Sequence, residues 1–259
     1  MTQVDPHTLK TQYASPVNLE KRIRLQRDYR VNPHAWHAWA LDQIVLPEGA
    51  RVLELGCGPG ELWRENAQRP PRWLLMLSDF SPGMAAAART NPGGWPALAT
   101  DAGNIALRDG ACDAVIANHM LYHMLDISRA ITEIRRVLAP GGALIASTNG
   151  LSHMRELIEL VAAYDPDVPF IRAIASRFGL ENGAAYLRPH FDTIEIRRYS
   201  DSLHVTDPQP AIDYILSATT ILLKSDSWKH GLEAHVRRAF DAHGGVLDIH
   251  KDAGMFIAH

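Results

Sequence analysis

A glycine-rich run, VLELGCGPG, occupies residues 52–60 and closes an apolar stretch. Its glycines are Gly56, Gly58 and Gly60. Glycine adopts positive φ angles and lets the backbone approach a ligand closely, so the run predicts a ligand-binding loop between a strand and a helix. A dinucleotide-binding loop of the pattern G-x-G-x-x-G would place its third glycine at position 61, which is Glu61. The spacing therefore disfavours NAD.

Histidine supplies a second set of candidate chemical groups, since the chain contains 13 of them. His119 and His123 are four residues apart, in a segment that follows a predicted strand. Histidines at that spacing can face a metal ion, but no E-x-x-H signature or set of carboxylates accompanies them, so we expect no metal. Histidine also suits general-base chemistry near neutral pH. The alternative is that each histidine is hydrogen-bonded and orders the loop.

Short apolar runs alternate with helical stretches between residues 50 and 148. The predicted strands are RVLEL (51–55), WLLML (73–77), WPALAT (95–100), DAVIA (113–117) and GALIAST (142–148), and the predicted helices lie near 60–68, 82–90 and 127–139. Strands buried on both faces form continuous apolar runs, so this alternation predicts a parallel α/β sheet with helices on both faces. The glycine loop then lies at the carboxyl edge of the sheet, where ligands bind.

The flanking segments follow a different pattern. Residues 17–46 are predicted to be mostly helical, with Asn32 capping a helix that Pro33 begins. After residue 149, helices are predicted at 151–162, 168–179, 208–223 and 227–242, and strands at 191–199 and 254–258. Helices inserted after a finished α/β unit are either structural or form a cover over its ligand crevice.

Composition restricts the class of protein. The 259 residues are 46% hydrophobic, and 26 Lys plus Arg stand against 29 Asp plus Glu. This balance offers no basic excess for nucleic acid or an anionic membrane, and no apolar run reaches the ~20 residues that span a bilayer. Two cysteines make no disulfide framework. We expect a soluble cytoplasmic protein that binds neither nucleic acid nor membrane; its oligomeric state is open.

Several segments, in order, resemble the class I S-adenosylmethionine-dependent methyltransferases, in their small-molecule, type 11-like branch. They are the glycine loop, WLLMLSDFSPGM (73–84), ATDAGNIALRDGACDAVIANHMLYHM (99–124) and ITEIRRVLAPGGALIAST (131–148). The resemblance implies an α/β, Rossmann-like, doubly wound fold. Its mostly parallel seven-stranded sheet would have an antiparallel last strand, and helices from the N-terminus and the late insertions would cover it. The implied cofactor is S-adenosyl-L-methionine, with S-adenosyl-L-homocysteine as product.

The resemblance implies that the glycine loop binds the cofactor. The backbone of Gly56, Cys57 and Gly58 would pass beneath the ribose and the amino-acid part, with Gly60 closing the loop. Cys57 is a small filler there, with nothing to support nucleophilic work. Glu54 would help hold the cationic end of the cofactor, the alternative being that it caps local backbone.

Later residues complete the implied cofactor site. Asp79 would accept two ribose hydroxyls, a task suited to a carboxylate; the alternative is a helix N-cap. Phe80 and Met84 would pack against adenine or belong to the core. Asp101 would accept the adenine amino group while the Ala102 amide donates to a ring nitrogen, the alternative being a plain turn.

The acceptor side is less defined by the sequence. Asn118, His119 and Met120 follow the fourth predicted strand, where the loop should pass the methyl group. Methyl transfer is an in-line displacement that depends on alignment, and an acceptor of high pKa must also lose a proton. His119 or His123 is the candidate general base. Further candidate substrate residues are Tyr13, Trp36 and Trp39.

These observations predict an enzyme that methylates O, N or C of a small molecule, as in secondary metabolism. Motifs typical of DNA methylation are missing after the fourth strand. The sequence leaves open whether the methyl acceptor is a protein. Two alternatives keep the cofactor without methyl transfer: a cyclase-like enzyme and an S-adenosylmethionine sensor.

Within a single domain, three segments are expected to have different structural roles. Residues 1–45 would form an N-terminal helical cover, residues 46–150 the cofactor-binding core, and residues 151–259 the rest of the sheet with helical insertions that form the acceptor site. Residues 1–30 would fold over the site and become ordered on cofactor binding, because closure excludes water. The alternative is a helix docked permanently on the sheet edge.

Overall fold

The computed structural model of the chain describes residues 16–170 and 176–259, which form a seven-stranded sheet. The strands are β1 Arg51–Leu55, β2 Leu74–Asp79, β3 Ala97–Ala99, β4 Cys112–Asn118, β5 Leu138–Asn149, β6 Ile194–Val205 and β7 Leu247–Ala258. Their order is β3-β2-β1-β4-β5-β7-β6. Parallel pairing joins β3, β2, β1, β4 and β5, and β7 runs antiparallel to β5. The predicted mixed, Rossmann-like α/β sheet is confirmed.

Helices separate most of the strands. They are α1 Pro16–Tyr29, α2 Trp36–Asp42, α3 Glu61–Glu65, α4 Pro82–Ala88, α5 Ile127–Val137, α6 Arg155–Tyr164, α7 Gly183–Leu187, α8 Pro208–Leu216, α9 Thr219–Leu222 and α10 Asp226–Ala242. A 3-10 turn covers Leu121–His123. Within the described ranges, every helix is too short or too polar to cross a membrane.

The chain divides into two compact units. The first, here the glycine-loop unit, comprises His34–Gly150, Arg177–Tyr199 and Ala253–His259. The second, here the helical unit, comprises, among the described residues, 16–33, 151–170, Ser176 and Ser200–Asp252. Strands β6 and β7 have residues in both.

The strands of the glycine-loop unit carry apolar side chains on both faces. Leu53 of β1 and Val115 of β4 pack in one buried cluster with residues of α5, while Val52 and Ile116 pack in a second cluster with Trp63 of α3. Successive side chains of a strand point to opposite faces. The continuous apolar runs therefore reflect burial on both faces of the sheet.

Helix α5 shows why its segment forms and where it begins. Asp126 accepts the backbone N–H of Arg129 over 2.9 Å, which caps the first turn. Its fully buried Ile131 and Ile134 lie on one face, as expected for a helix packed on a sheet.

In the helical unit, a buried ion pair lies between β6 and β7. Lys251 Nζ is 2.8 Å from Asp201 Oδ2, and the two side chains are 8% and 0% exposed. The other carboxylate oxygen accepts the backbone N–H groups of Asn32 and Ser202, each over 2.9 Å. The carboxylate thus joins the strand to the segment that follows α1.

The predicted helix start at Asn32 and Pro33 is wrong. Helix α2 begins at Trp36, and the Asn32 side chain donates to the Ser200 carbonyl over 2.8 Å. Together with the bond to Asp201, this contact holds Asn32 on β6. Polar partners distant in sequence therefore override the local capping pattern.

The helix predicted at 168–179 is not found in the part that the structure describes. Residues 168–170 and 176–179 are non-helical, and residues 171–175 lie outside the described ranges. At the end of the predicted segment, the Gly179 N–H is bonded to the Asn182 side chain over 2.7 Å.

Candidate functional site

The three glycines of the loop after β1 all have positive φ, but their surroundings differ. A Cβ at Gly56 would lie 2.6 Å from the Met120 Cβ, and one at Gly60 would lie 2.0 Å from the Asn91 side-chain nitrogen. A Cβ at Gly58, where φ is +56°, would meet no atom within 4 Å. Packing thus explains Gly56 and Gly60, whereas Gly58 exposes its backbone to open space.

Asp79, at the end of β2, is fixed against this loop. Its Oδ2 accepts the Gly58 N–H over 2.9 Å, and its Oδ1 accepts the Ser81 N–H over 2.8 Å. Burial raises the pKa of the Asp79 carboxyl, and these two backbone bonds oppose the rise. Ser81 is the residue that caps α4, through the Met84 N–H. Phe80, which lies between Asp79 and Ser81, is 63% exposed.

Glu54 lies in β1 two residues before the loop and is 1% exposed. It accepts the indole N–H of Trp63, a partner on α3 that the sequence analysis did not identify. Desolvation raises the pKa of Glu54 to about 7; the Trp63 bond opposes this effect and the charge of Asp79 adds to it. Burial likewise raises the pKa of the Cys57 thiol, which keeps it protonated near neutral pH.

Asp101 follows β3 at the same edge of the sheet. The Thr100 N–H donates to the Asp79 carbonyl over 2.9 Å, which links the ends of β3 and β2. Asp101 is exposed, and its Oδ1 accepts the Gly103 N–H over 2.8 Å. Ala102 is buried, with 5% of its surface exposed.

At the end of β4, His119 has an unusual backbone conformation, and the side-chain oxygen of its neighbour Asn118 is buried. His119 has a φ of +53°, a conformation that non-glycine residues seldom adopt outside special sites. Within the described residues, the buried Asn118 Oδ1 has no hydrogen-bond partner. His123 lies in the 3-10 turn, its ring 4.5 Å from that of Tyr122.

Four rings form an aromatic cluster in the glycine-loop unit. The Trp36 ring centroid lies 4.9 Å from His119, 5.3 Å from Trp39 and 5.4 Å from Tyr199. The Tyr199 hydroxyl donates to the His34 carbonyl over 2.6 Å, which anchors the residues before α2. In the described part of the chain, the buried Trp36 indole N–H has no partner.

The structure thus brings many of the predicted residues together. Gly58 contacts Asp79, Gly56 packs on Met120, and Trp36 contacts His119. Tyr13 lies outside the described residues. Sequence reasoning missed Trp63 and Tyr199; each is an aromatic residue within a predicted element, and no local pattern names its partner.

Residues 53–146 match the family described as Methyltransferase domain. A trans-aconitate 2-methyltransferase from Variovorax paradoxus is 34% identical over 128 residues, which cover 49% of each chain. A malonyl-[acyl-carrier protein] O-methyltransferase from Legionella pneumophila is 32% identical over 110 residues, covering 41% of this chain and 39% of that protein. This chain thus spans about half or less of the length of these relatives.

A solved structure has the same fold. Haemonchus contortus phosphoethanolamine N-methyltransferase 2, in complex with S-adenosyl-L-methionine, superposes with a TM-score of 0.60 at 18% identity. The match covers 97% of this chain and 59% of that one. Residues 53–146 are thus similar to the methyltransferase domain family, and the predicted resemblance to class I S-adenosylmethionine-dependent methyltransferases of the type 11 branch is confirmed.

Proposed function

We propose that this chain binds S-adenosyl-L-methionine and transfers its methyl group to a small-molecule acceptor, releasing S-adenosyl-L-homocysteine. The observation that carries the proposal is the Asp79 carboxylate held 2.9 Å from the backbone of Gly58, where a Cβ would meet only open space. The family match over residues 53–146 supports it. So do relatives named as a trans-aconitate 2-methyltransferase and as a malonyl-[acyl-carrier protein] O-methyltransferase.

The residues at this edge fit the cofactor. Asp79 would accept the ribose hydroxyls, since each of its oxygens accepts one backbone bond and keeps a further lone pair. Phe80, largely exposed beside it, would pack against adenine, with Met84 nearby in α4, and Asp101 would accept the adenine amino group. The buried and unpaired Asn118 Oδ1 would accept an N–H from the bound molecule.

Other residues of the loop and of the neighbouring strand ends would also support cofactor binding. Gly56 and Gly60 let the loop pack, Cys57 fills it, and Ala102 would offer its amide to adenine. Glu54 is bonded to Trp63 and has a pKa near neutrality, so it would favour a nearby cationic group when ionised.

The acceptor would bind beside the end of β4. When bound, S-adenosylmethionine supplies an electrophilic methyl group on a sulfonium. Trp36 and Trp39 would orient a small acceptor by stacking, with the unpaired Trp36 indole N–H as a hydrogen-bond donor. His119, strained and in contact with Trp36, would remove a proton from an acceptor that needs it, or His123 would do so.

Calorimetric titration with S-adenosylmethionine and S-adenosylhomocysteine tests the cofactor assignment. We expect Asp79→Ala to weaken binding about tenfold or more, because loss of a hydrogen bond to a charged group costs ~1.5–3 kcal/mol. The matched control is Asp192→Ala, which removes an exposed carboxylate elsewhere in the same unit. Folded Asp79→Ala protein that binds like wild type would contradict the ribose assignment.

A methyl-transfer screen then separates catalysis from binding alone. Wild-type protein is incubated with S-adenosylmethionine and panels of carboxylic acids, phenols and amines, and S-adenosylhomocysteine release is measured. Turnover with one panel supports the proposed reaction and names the methylated atom. Tight cofactor binding without product in every panel would favour the cyclase-like or sensor alternative.

A further inference from the structure

The loop after Asp101 is held from both sides at a single residue, Gly103. The Gly103 N–H donates to Asp101 Oδ1 over 2.8 Å, and the Gly103 carbonyl accepts the Nε–H of Arg129 over 2.8 Å. Arg129 lies in the first turn of α5, where its own backbone N–H is bonded to Asp126. Helix α5, which packs on the core through one buried face, therefore connects to the Asp101 carboxylate through one glycine.

Side chains on the same face of α5 form hydrogen bonds with the backbone of the rest of this loop. Glu133 accepts the Ile105 N–H over 3.0 Å, and Arg136 donates to the carbonyls of Ile105 and Leu107, each over 2.8 Å. Arg129, Glu133 and Arg136 recur at i, i+4 and i+7, so they share one helix face. These side chains, rather than a neighbouring strand, satisfy the backbone of the loop.

We propose that Arg129 is a positioning residue, which holds the Asp101 carboxylate for recognition of the 6-amino group of the cofactor's adenine. The inference rests on the proposed cofactor role of this site. Asp101 is exposed, and within the described residues its Oδ2 has no hydrogen-bond partner, which leaves that oxygen available to a ligand. An exposed carboxylate loses conformational freedom when it binds, and a preorganised loop lowers that cost.

Two ligands that differ only in the purine base measure recognition of the base by this loop. S-adenosylhomocysteine presents an amino group at position 6 of its base, whereas S-inosylhomocysteine presents a carbonyl oxygen there, which a carboxylate repels. The ribose and amino-acid parts are identical. We expect wild-type protein to prefer the adenine ligand about tenfold to a hundredfold, the effect of one hydrogen bond to a charged group.

A matched pair of variants isolates the Arg129 donor. Arg129→Gln keeps an N–H donor at the same number of bonds from the backbone as Nε, whereas Arg129→Met has similar length and no donor. Arg135→Met removes a charge from the exposed side of the same helix and serves as control. We expect Arg129→Met to reduce the preference for adenine to about threefold or less, with Arg129→Gln and Arg135→Met close to wild type.

The outcomes separate this proposal from the broader one. A folded Arg129→Met protein with the full wild-type preference overturns it, as does an equal loss in Arg129→Gln and Arg129→Met. Wild-type protein that binds neither ligand overturns the proposed function as well. Should Arg129→Met fail to fold, Gly103→Ala replaces it, because its Cβ would lie 3.3 Å from Asp101 Oδ1 and the carboxylate must shift by a few tenths of an ångström; a full wild-type preference in this variant overturns the proposal.

Discussion

Replacing Glu54 with glutamine removes a buried acid and keeps an oxygen that can accept the Trp63 indole N–H. In the wild type, desolvation raises the pKa of this carboxyl from 4.5 to about 7. The folded protein therefore retains a proton that the unfolded chain releases between these pH values. The contribution of Glu54 to stability is complete below pH 4.5 and is lost as the pH rises through about 7.

The size of the effect follows from the pKa difference. At about 1.4 kcal/mol per pKa unit, a rise from 4.5 to about 7 corresponds to about 3 kcal/mol. The variant lacks this ionisation. Its free energy of unfolding, relative to wild type, should therefore increase by about 3 kcal/mol between pH 4.5 and about pH 8. Differences in packing between an amide and a protonated carboxyl do not depend on pH, so they shift every value equally.

Urea unfolding followed by far-UV circular dichroism, across that pH range, measures the difference. Glu159→Gln is the control, because this glutamate is exposed and its replacement should leave the pH dependence of wild type unchanged. A constant difference in unfolding free energy between Glu54→Gln and wild type at all pH values would refute the reasoning. It would mean that Glu54 ionises alike in the folded and unfolded chain.

Three further predictions address the loop, the buried ion pair and the N-terminal segment. Gly58→Val should abolish cofactor binding in calorimetry, whereas Gly94→Val, at a similar φ and equally open space, should cost comparable stability but keep binding. Lys251→Met should lower the unfolding free energy in urea by about 3–5 kcal/mol, because Asp201 keeps a buried charge without its partner; an unchanged value would contradict this. Residues 8–30 should gain hydrogen-exchange protection when S-adenosylhomocysteine binds, and unchanged protection would leave Tyr13 structural.

Local sequence patterns were enough to predict the sheet and the edge at which the glycine loop lies. Apolar runs such as 51–55 and 113–117 are strands because burial on both faces demands apolar residues at every position. Gly58 was predictable because a turn directly after a strand often needs a positive φ, which depends on residues close in sequence. Asp79 was predicted from the resemblance of its segment to the methyltransferase family.

Tertiary structure alone decided which distant side chains meet. Arg129 holds the loop after Asp101, and Tyr199 anchors the segment before Trp36, across separations that no periodicity encodes. Asn32 forms hydrogen bonds with β6 and does not cap a helix, although its local sequence is typical of a helix start. The reason is physical: a helix or strand forms from interactions between near neighbours, whereas the partner of a polar or aromatic side chain depends on which surfaces the packed elements bring within bonding distance.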